Sequence, residues 1–239
     1  MTIYYIKTKT ILFFSVAVLF CCNLSAQFAV ISDPDGYANI RSEAKKGNNI
    51  SDRLNNGSPV YCYDSYDSAN NWIGIDYTKN NKDLGGYVYK DRVKYVSEFS
   101  KIPSIKETTE KVIFQKDNLN ITIESKNFDP KTAKLGYLKN DKSILEKING
   151  KQVWGRDGTI PRKTYKLIAV TIGSKTIEIP KNAFDDLFEP SFFNTEINYD
   201  KKEDILYISA MNGDGAGGYV ILWIIEKGKY KERQITRGF

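Results

Sequence analysis

The densest set of groups in this chain able to move a proton is Asp185, Asp186 and Glu189. Two carboxylates facing each other across a cleft hydrolyse a glycoside when one is held protonated, and their separation sets inversion or retention. Near-adjacent positions on one short segment favour a solvated face instead, so a carboxylate-dependent hydrolase is an alternative reading and not the first. Histidine is absent from all 239 residues, which excludes Ser-His and Cys-His catalysis and any zinc site built on imidazole. Asn212-Gly213-Asp214-Gly215-Ala216-Gly217-Gly218 has the glycine content of an ion-binding loop. A phosphate cradle, however, needs a helix to follow it, and Tyr219-Val220-Ile221-Leu222 is β-rich. Calcium needs several oxygen ligands, and only Asn212 and Asp214 offer side chains there. A wide hairpin loop with positive φ is the expectation, with Asp214 available to a partner. Trp154-Gly155-Arg156-Asp157-Gly158 is a second such loop, in which Trp154 supplies apolar area and Arg156 a partner for an anion. Its plain reading is a turn whose tryptophan plugs a domain edge. Neither a metal nor a cofactor is expected.

The N-terminus decides the compartment. Lys7 and Lys9 precede an unbroken apolar run from Ile11 to Phe20, and small Ser25 and Ala26 stand before Gln27. That is the pattern of a secretory signal over residues 1–26, and the run is too short for a membrane span of about 20 apolar residues. Cys21 and Cys22 offer lipidation as the rival, but the residue before an acylated cysteine is normally small, and here it would be Phe20 or Cys21. Cleavage before Gln27 is therefore expected, and it leaves Cys62 alone, without an internal disulfide partner. Val60, Tyr61 and Tyr63 around it read as strand, so Cys62 is expected to be a small buried hydrophobe. Removing Lys7 and Lys9 also lowers the net charge of +6 by two. The remaining basic residues are interleaved with acids, which argues against a nucleic-acid footprint.

These residues need elements to hold them, and the elements read as mainly β. From 28 to 96, short extended runs are separated by turn chemistry: Asp33-Pro34-Asp35-Gly36, Asn55-Asn56-Gly57-Ser58 and Gly85-Gly86. Residues 98–111 mix Pro, Ser and charge and read as a linker. From 112 to 239, Leu119, Ile121 and Ile123 alternate with polar residues, and 163–180 reads as a hairpin about Gly173-Ser174. Residues 205–211 and 219–225 are near-continuous apolar runs, the second expected to be a central strand buried on both faces. Residues 230–235 suit an edge. Helix is expected only over 133–148 and briefly over 182–187, capped by Asn182.

The order of segments in the first block resembles the bacterial SH3 (SH3b) family. The matching segments are Ala38-Asn39-Ile40-Arg41-Ser42, Leu54-Asn55-Asn56-Gly57-Ser58-Pro59-Val60, Trp72-Ile73-Gly74-Ile75 and Gly86-Tyr87-Val88-Tyr89. The departures are a longer loop over 78–84 and tyrosines at 61, 63 and 66. The resemblance implies a small barrel over 27–97 that binds a peptide or cell-wall fragment on an aromatic face, with Tyr37, Arg41, Tyr66 and Trp72 as ligand-binding residues. Residues 112–239 are similar to the C-terminal regions of uncharacterised secreted proteins of the Bacteroidetes group, on Trp154-Gly155-Arg156-Asp157-Gly158, Leu187-Phe188-Glu189-Pro190 and Asp214-Gly215-Ala216-Gly217-Gly218-Tyr219.

The fold expected is thus an SH3-like barrel followed by a β-rich meander with one or two short helices. The expected function is that of an exported, periplasmic or secreted, non-catalytic binder of a peptidoglycan fragment or an envelope protein, with no nucleic acid and no stable membrane span. An envelope immunity or inhibitor protein acting through its Gly-rich loop is the alternative, with Trp154, Arg156 and Asp214 as contact candidates.

Overall fold

The computed structural model describes residues 27–63, 71–213 and 215–237. The expected signal over 1–26, with Cys21 and Cys22, lies outside the described residues, as do Tyr66 and Asp214. The chain is mainly β, and no described helix reaches seven residues.

The first half is one curled sheet, a half-barrel. Its strands are β1 (Gln27–Ile31), β2 (Tyr37–Arg41), β3 (Ile50–Asn55), β4 (Pro59–Tyr63), β5 (Trp72–Lys79), β6 (Lys82–Tyr89) and β7 (Val93–Tyr95). They run in the order β3-β2-β6-β5-β4-β1-β7. Alternation sends Ala29, Ile31, Ala38, Ile40, Val60, Cys62, Ile73 and Ile75 inward as one core. Cys62, 1% exposed, packs there as its strand neighbours implied. The segment read as a longer loop over 78–84 is instead the tip of a hairpin. β5 and β6 pair as far as Lys79↔Lys82, and Asn80 and Asn81 turn the chain with φ of +53° and +58°. Asparagine tolerates that left-handed pair, which matches the strand twist.

The second half is a sandwich with a small third sheet at its side. Its strands are β8 (Ser100–Ile102), β9 (Ser104–Glu107), β10 (Lys111–Lys116), β11 (Leu119–Asn127), β12 (Leu135–Tyr137), β13 (Leu145–Ile148), β14 (Lys151–Gln152), β15 (Lys163–Ile172), β16 (Lys175–Glu178), β17 (Thr195–Asp200), β18 (Ile205–Asn212), β19 (Tyr219–Glu226) and β20 (Lys229–Thr236). One sheet runs β16-β15-β11-β10-β9, the other β20-β19-β18-β17-β8, and β12-β13-β14 forms the third. Ile121, Ile123, Ile168 and Val170 of the first sheet meet Ile197, Ile208, Ile221 and Trp223 of the second in the main core.

Three expectations are corrected. The linker over 98–111 carries β8 and β9, which belong to opposite sheets. Ile102 pairs with Ile197 and is 1% exposed, and Pro103 stands where the chain crosses between the layers. The helix expected over 133–148 is β12 and β13, divided at Asp141, whose Oδ1 accepts from the Ser143 amide at 2.9 Å and the Ser143 hydroxyl at 2.6 Å. Such an Asx turn competes with helix formation. Near Asn182 only a short 3-10 turn, Lys181–Ala183, forms behind Pro180.

β19 explains how the halves meet. Every residue from Tyr219 to Ile225 is buried. Tyr219, Ile221, Trp223 and Ile225 point into the sandwich core, while Val220, Leu222 and Ile224 pack with Phe28, Val30 and Tyr61 of the curled sheet. β1 is likewise two-faced, with Ala29 and Ile31 inside the half-barrel and Phe28 and Val30 against the sandwich. A polar tie reinforces this contact: the Thr78 amide donates to Gln234 Oε1 at 3.3 Å, and Gln234 is 3% exposed.

Candidate functional site

Tyr37, Arg41 and Trp72, three of the four residues named from the family resemblance, line one groove of about 360 Å³ on the curled sheet. β2 supplies Tyr37 and Arg41, and the start of β5 supplies Trp72. Trp72 and Tyr89 are cross-strand partners whose rings meet edge to face, 5.2 Å between centroids. The Arg41 guanidinium carbon lies 5.6 Å from the Trp72 ring centroid. Its Nη1 donates to the Gly47 carbonyl at 2.8 Å and to Asn49 Oδ1 at 2.7 Å, which fixes the side chain and the loop between β2 and β3 together. Arg53 covers the Tyr37 ring at 4.1 Å. Such cation–π contacts orient both partners at a cost smaller than burying a free charge.

The groove wall is made by two interlocked turns. The Asp33 amide donates to Asn56 Oδ1 at 2.9 Å, and Asn56 Nδ2 donates back to the Asp33 carbonyl at 2.8 Å. Asp33 is 8% exposed; its carboxylate accepts from the Asp35 amide at 2.8 Å and pairs with Arg92 at 3.1 Å. Asp35 and Lys46 also line the groove and form no ion pair among the described residues, so one free charge of each sign faces the space. Asn39 stands in the same wall, with its Oδ1 buried and without a hydrogen-bond donor. A buried acceptor of this kind costs about 1–3 kcal/mol until something donates to it. Sequence reasoning named Asn39 only as part of a fold signature and missed Asp35, Lys46 and Tyr89, whose roles come from strand register and turn placement.

The two Gly-rich loops of the second half meet each other. Gly155 N–H donates to the Gly217 carbonyl at 3.1 Å, and Gly213 N–H donates to the Glu189 carbonyl at 3.1 Å. A Cβ on Gly155, where φ is +107°, would lie 2.3 Å from the Phe188 carbonyl oxygen, and one on Gly217 would lie 2.5 Å from Arg156 backbone. Glycine is thus required by close backbone approach. Arg156 lies 3.8 Å from the Glu189 carboxylate and donates to Thr159 Oγ1 at 3.0 Å, with its side chain 16% exposed. Trp154 is half-buried against Tyr219, 6.1 Å between ring centroids. Asn212 is fully engaged: its Oδ1 accepts from the Ser191 amide at 2.7 Å and its Nδ2 donates to the Tyr165 hydroxyl at 2.9 Å.

The carboxylates singled out for proton transfer sit in separate ion pairs. Asp186 takes both Arg233 Nη atoms at 2.6 Å each, Asp185 takes Lys151 at 2.6 Å, and Glu189 accepts the Arg162 amide at 2.6 Å. Burial works against the charge on Arg233, yet the Asp186 carboxylate outweighs it and raises the guanidinium's pKa. A carboxylate held in this way is fitted to bracing the 3-10 turn and β20 more than to cycling a proton. Among the described residues, no group of three or more Asp, Glu or Cys side chains is placed to hold a metal ion. No described helix is long and apolar enough to cross a membrane.

Compared with known proteins, the chain matches no family model, no curated protein and no solved structure.

Proposed function

We propose that this chain is an exported binding protein whose curled N-terminal sheet, resembling the SH3b family, takes a cell-envelope ligand in the Tyr37–Arg41–Trp72 groove. The ligand class is a short peptide, either a peptidoglycan stem peptide or a segment of an envelope protein. The single observation that supports this most is the convergence of those three residues with Asp35, Lys46 and the unmet acceptor of Asn39. An extended peptide carries what such a groove lacks: charged ends for Asp35 and the Lys46 ammonium. Trp72 and Tyr89 offer apolar area at a low cost in side-chain entropy. Binding on these terms involves no covalent step. The Gly-rich loop uses its close approaches on Gly155 and Arg156, which does not favour an inhibitor acting through that loop.

The test is retention of the chain from Gln27 onward on purified peptidoglycan. Retention is expected, and Asp35→Ala and Lys46→Ala, both at surface positions, are expected to weaken it about tenfold together, near 1.4 kcal/mol. Absence of retention overturns the wall-ligand reading, and retention untouched by either substitution overturns the groove assignment.

A further inference from the structure

We propose a second binding site, for a neutral oligosaccharide, in the cleft between the β5–β6 hairpin and the Trp154 loop. The cleft measures about 640 Å³, and Asp76 and Asp83 of the curled sheet line it together with Gln152 and Trp154 of the second half. Sites at the junction of two packed units, with an aromatic surface and a few placed polar groups, are where small ligands commonly bind.

The cleft supplies a fixed aromatic plate. Trp154 is held by its own backbone, its N–H donating to the Asp186 carbonyl at 3.2 Å and its carbonyl accepting from Phe188 at 2.9 Å. The ring rests on Tyr219. A pyranose presents a face of C–H bonds that stacks on such a ring, and its hydroxyls then radiate outward and need acceptors.

Those acceptors are present, and among the described residues one oxygen of each carboxylate takes no donor. Asp76 Oδ2 receives the Tyr63 hydroxyl at 2.5 Å, while Asp76 Oδ1 has no donor among the described residues. Gly85 keeps the approach to that oxygen open, since a Cβ there would stand 3.1 Å from it. Asp83 Oδ1 accepts from the Thr78 hydroxyl at 3.0 Å and its Oδ2 takes no described donor. The Gln152 amide, exposed at the rim, forms no described hydrogen bond and offers both donor and acceptor. Hydroxyl groups donating to carboxylates form the stronger, charge-assisted kind of bond, and Arg237 at the rim leaves the lining close to charge balance, which suits a neutral ligand. A polyol with an apolar face and many O–H donors matches this arrangement. At the floor Gln234 accepts from the Thr78 amide and so ties the two halves together.

This site is independent of the groove on β2 and β5. The experiment is isothermal titration of the chain from Gln27 onward with cellotetraose and with the tetramer of N-acetylglucosamine. At least one is expected to bind, with Asp83→Ala and Gln152→Ala each weakening it about tenfold and Trp72→Ala leaving it unchanged. Both positions are exposed, so folding is retained and is checked by circular dichroism. Binding of neither tetramer overturns the proposal. So does binding that Trp72→Ala abolishes while Asp83→Ala and Gln152→Ala leave it intact, which would move the sugar to the other groove.

Discussion

Phe28 and Tyr61 face each other on paired strands of the curled sheet, their rings 5.0 Å apart and inclined at 67°, yet both belong to the core shared with the sandwich. They pack with Val220, Leu222 and Ile224, the outward-facing side of β19. The two halves therefore have no dry surface of their own at this contact. Burial also pushes the Tyr61 hydroxyl up to about 12, so it stays protonated across ordinary conditions.

Phe28→Ala should destabilise the whole chain by about 3 kcal/mol, the usual cost of deleting a buried phenylalanine. Because the contact is shared, both halves should unfold in one transition. Urea melts followed by tryptophan fluorescence and by far-ultraviolet circular dichroism should coincide. Two separated transitions would refute a common core.

The interlocked loops make a contrast between glycines. Gly155→Ala places a methyl 2.3 Å from a carbonyl oxygen at φ +107°, whereas Gly215→Ala meets nothing within 4 Å at φ +48°. The first should cost more than about 3 kcal/mol and the second about 1 kcal/mol, from backbone conformation alone. Equal melting temperatures for the two variants would contradict the packing of the loops.

Asp186→Ala leaves Arg233 with its guanidinium largely enclosed and without its two 2.6 Å partners. A loss of about 3 kcal/mol is expected from such an uncompensated charge. The double variant with Arg233→Met should recover much of it, because the buried cation is then gone. A chemical denaturation cycle measures the coupling, and additivity of the two losses would show that the pair is not coupled.

Glu124 sits between Lys166 at 2.9 Å and Lys111 at 3.1 Å, tying β15 and β10 across β11. Its hydrogen bonds to Lys166 and then Lys111 hold its pKa below the ordinary 4.5, and the bond from Lys79 holds Asp52 below 3.8. A depressed folded-state pKa gives stability that is complete above the unfolded value and lost as pH falls through the folded one. The melting temperature should therefore be level down to about pH 5 and fall below the ordinary value of 4.5. Glu124→Gln should flatten the upper part of that fall; an unchanged acid limb would exclude the contribution.

Much of this was legible in residue order. The alternation at Leu119, Ile121 and Ile123, the hairpin about Gly173-Ser174 and the run from Tyr219 all declare their elements, because side-chain period reports directly on which faces are buried. The helix expected over 133–148 failed because apolar spacing alone outweighed the turn chemistry of Asp141 and Ser143. The linker expected over 98–111 failed because three-residue strands are too short to show a period, and only pairing with β17 defines β8.

What the sequence by itself determined is the class of element nearly everywhere and the absence of histidine chemistry. Tertiary structure alone decided what covers each face of β19, since an apolar run states that both sides are dry and not which neighbours make them so. It also decided that loops some sixty residues apart interlock through Gly155 and Gly217, and that Trp154 shares a cleft with Asp76 and Asp83. Those relationships arise from strands brought together across long separations, and no local preference encodes the partner at the far end of such a contact.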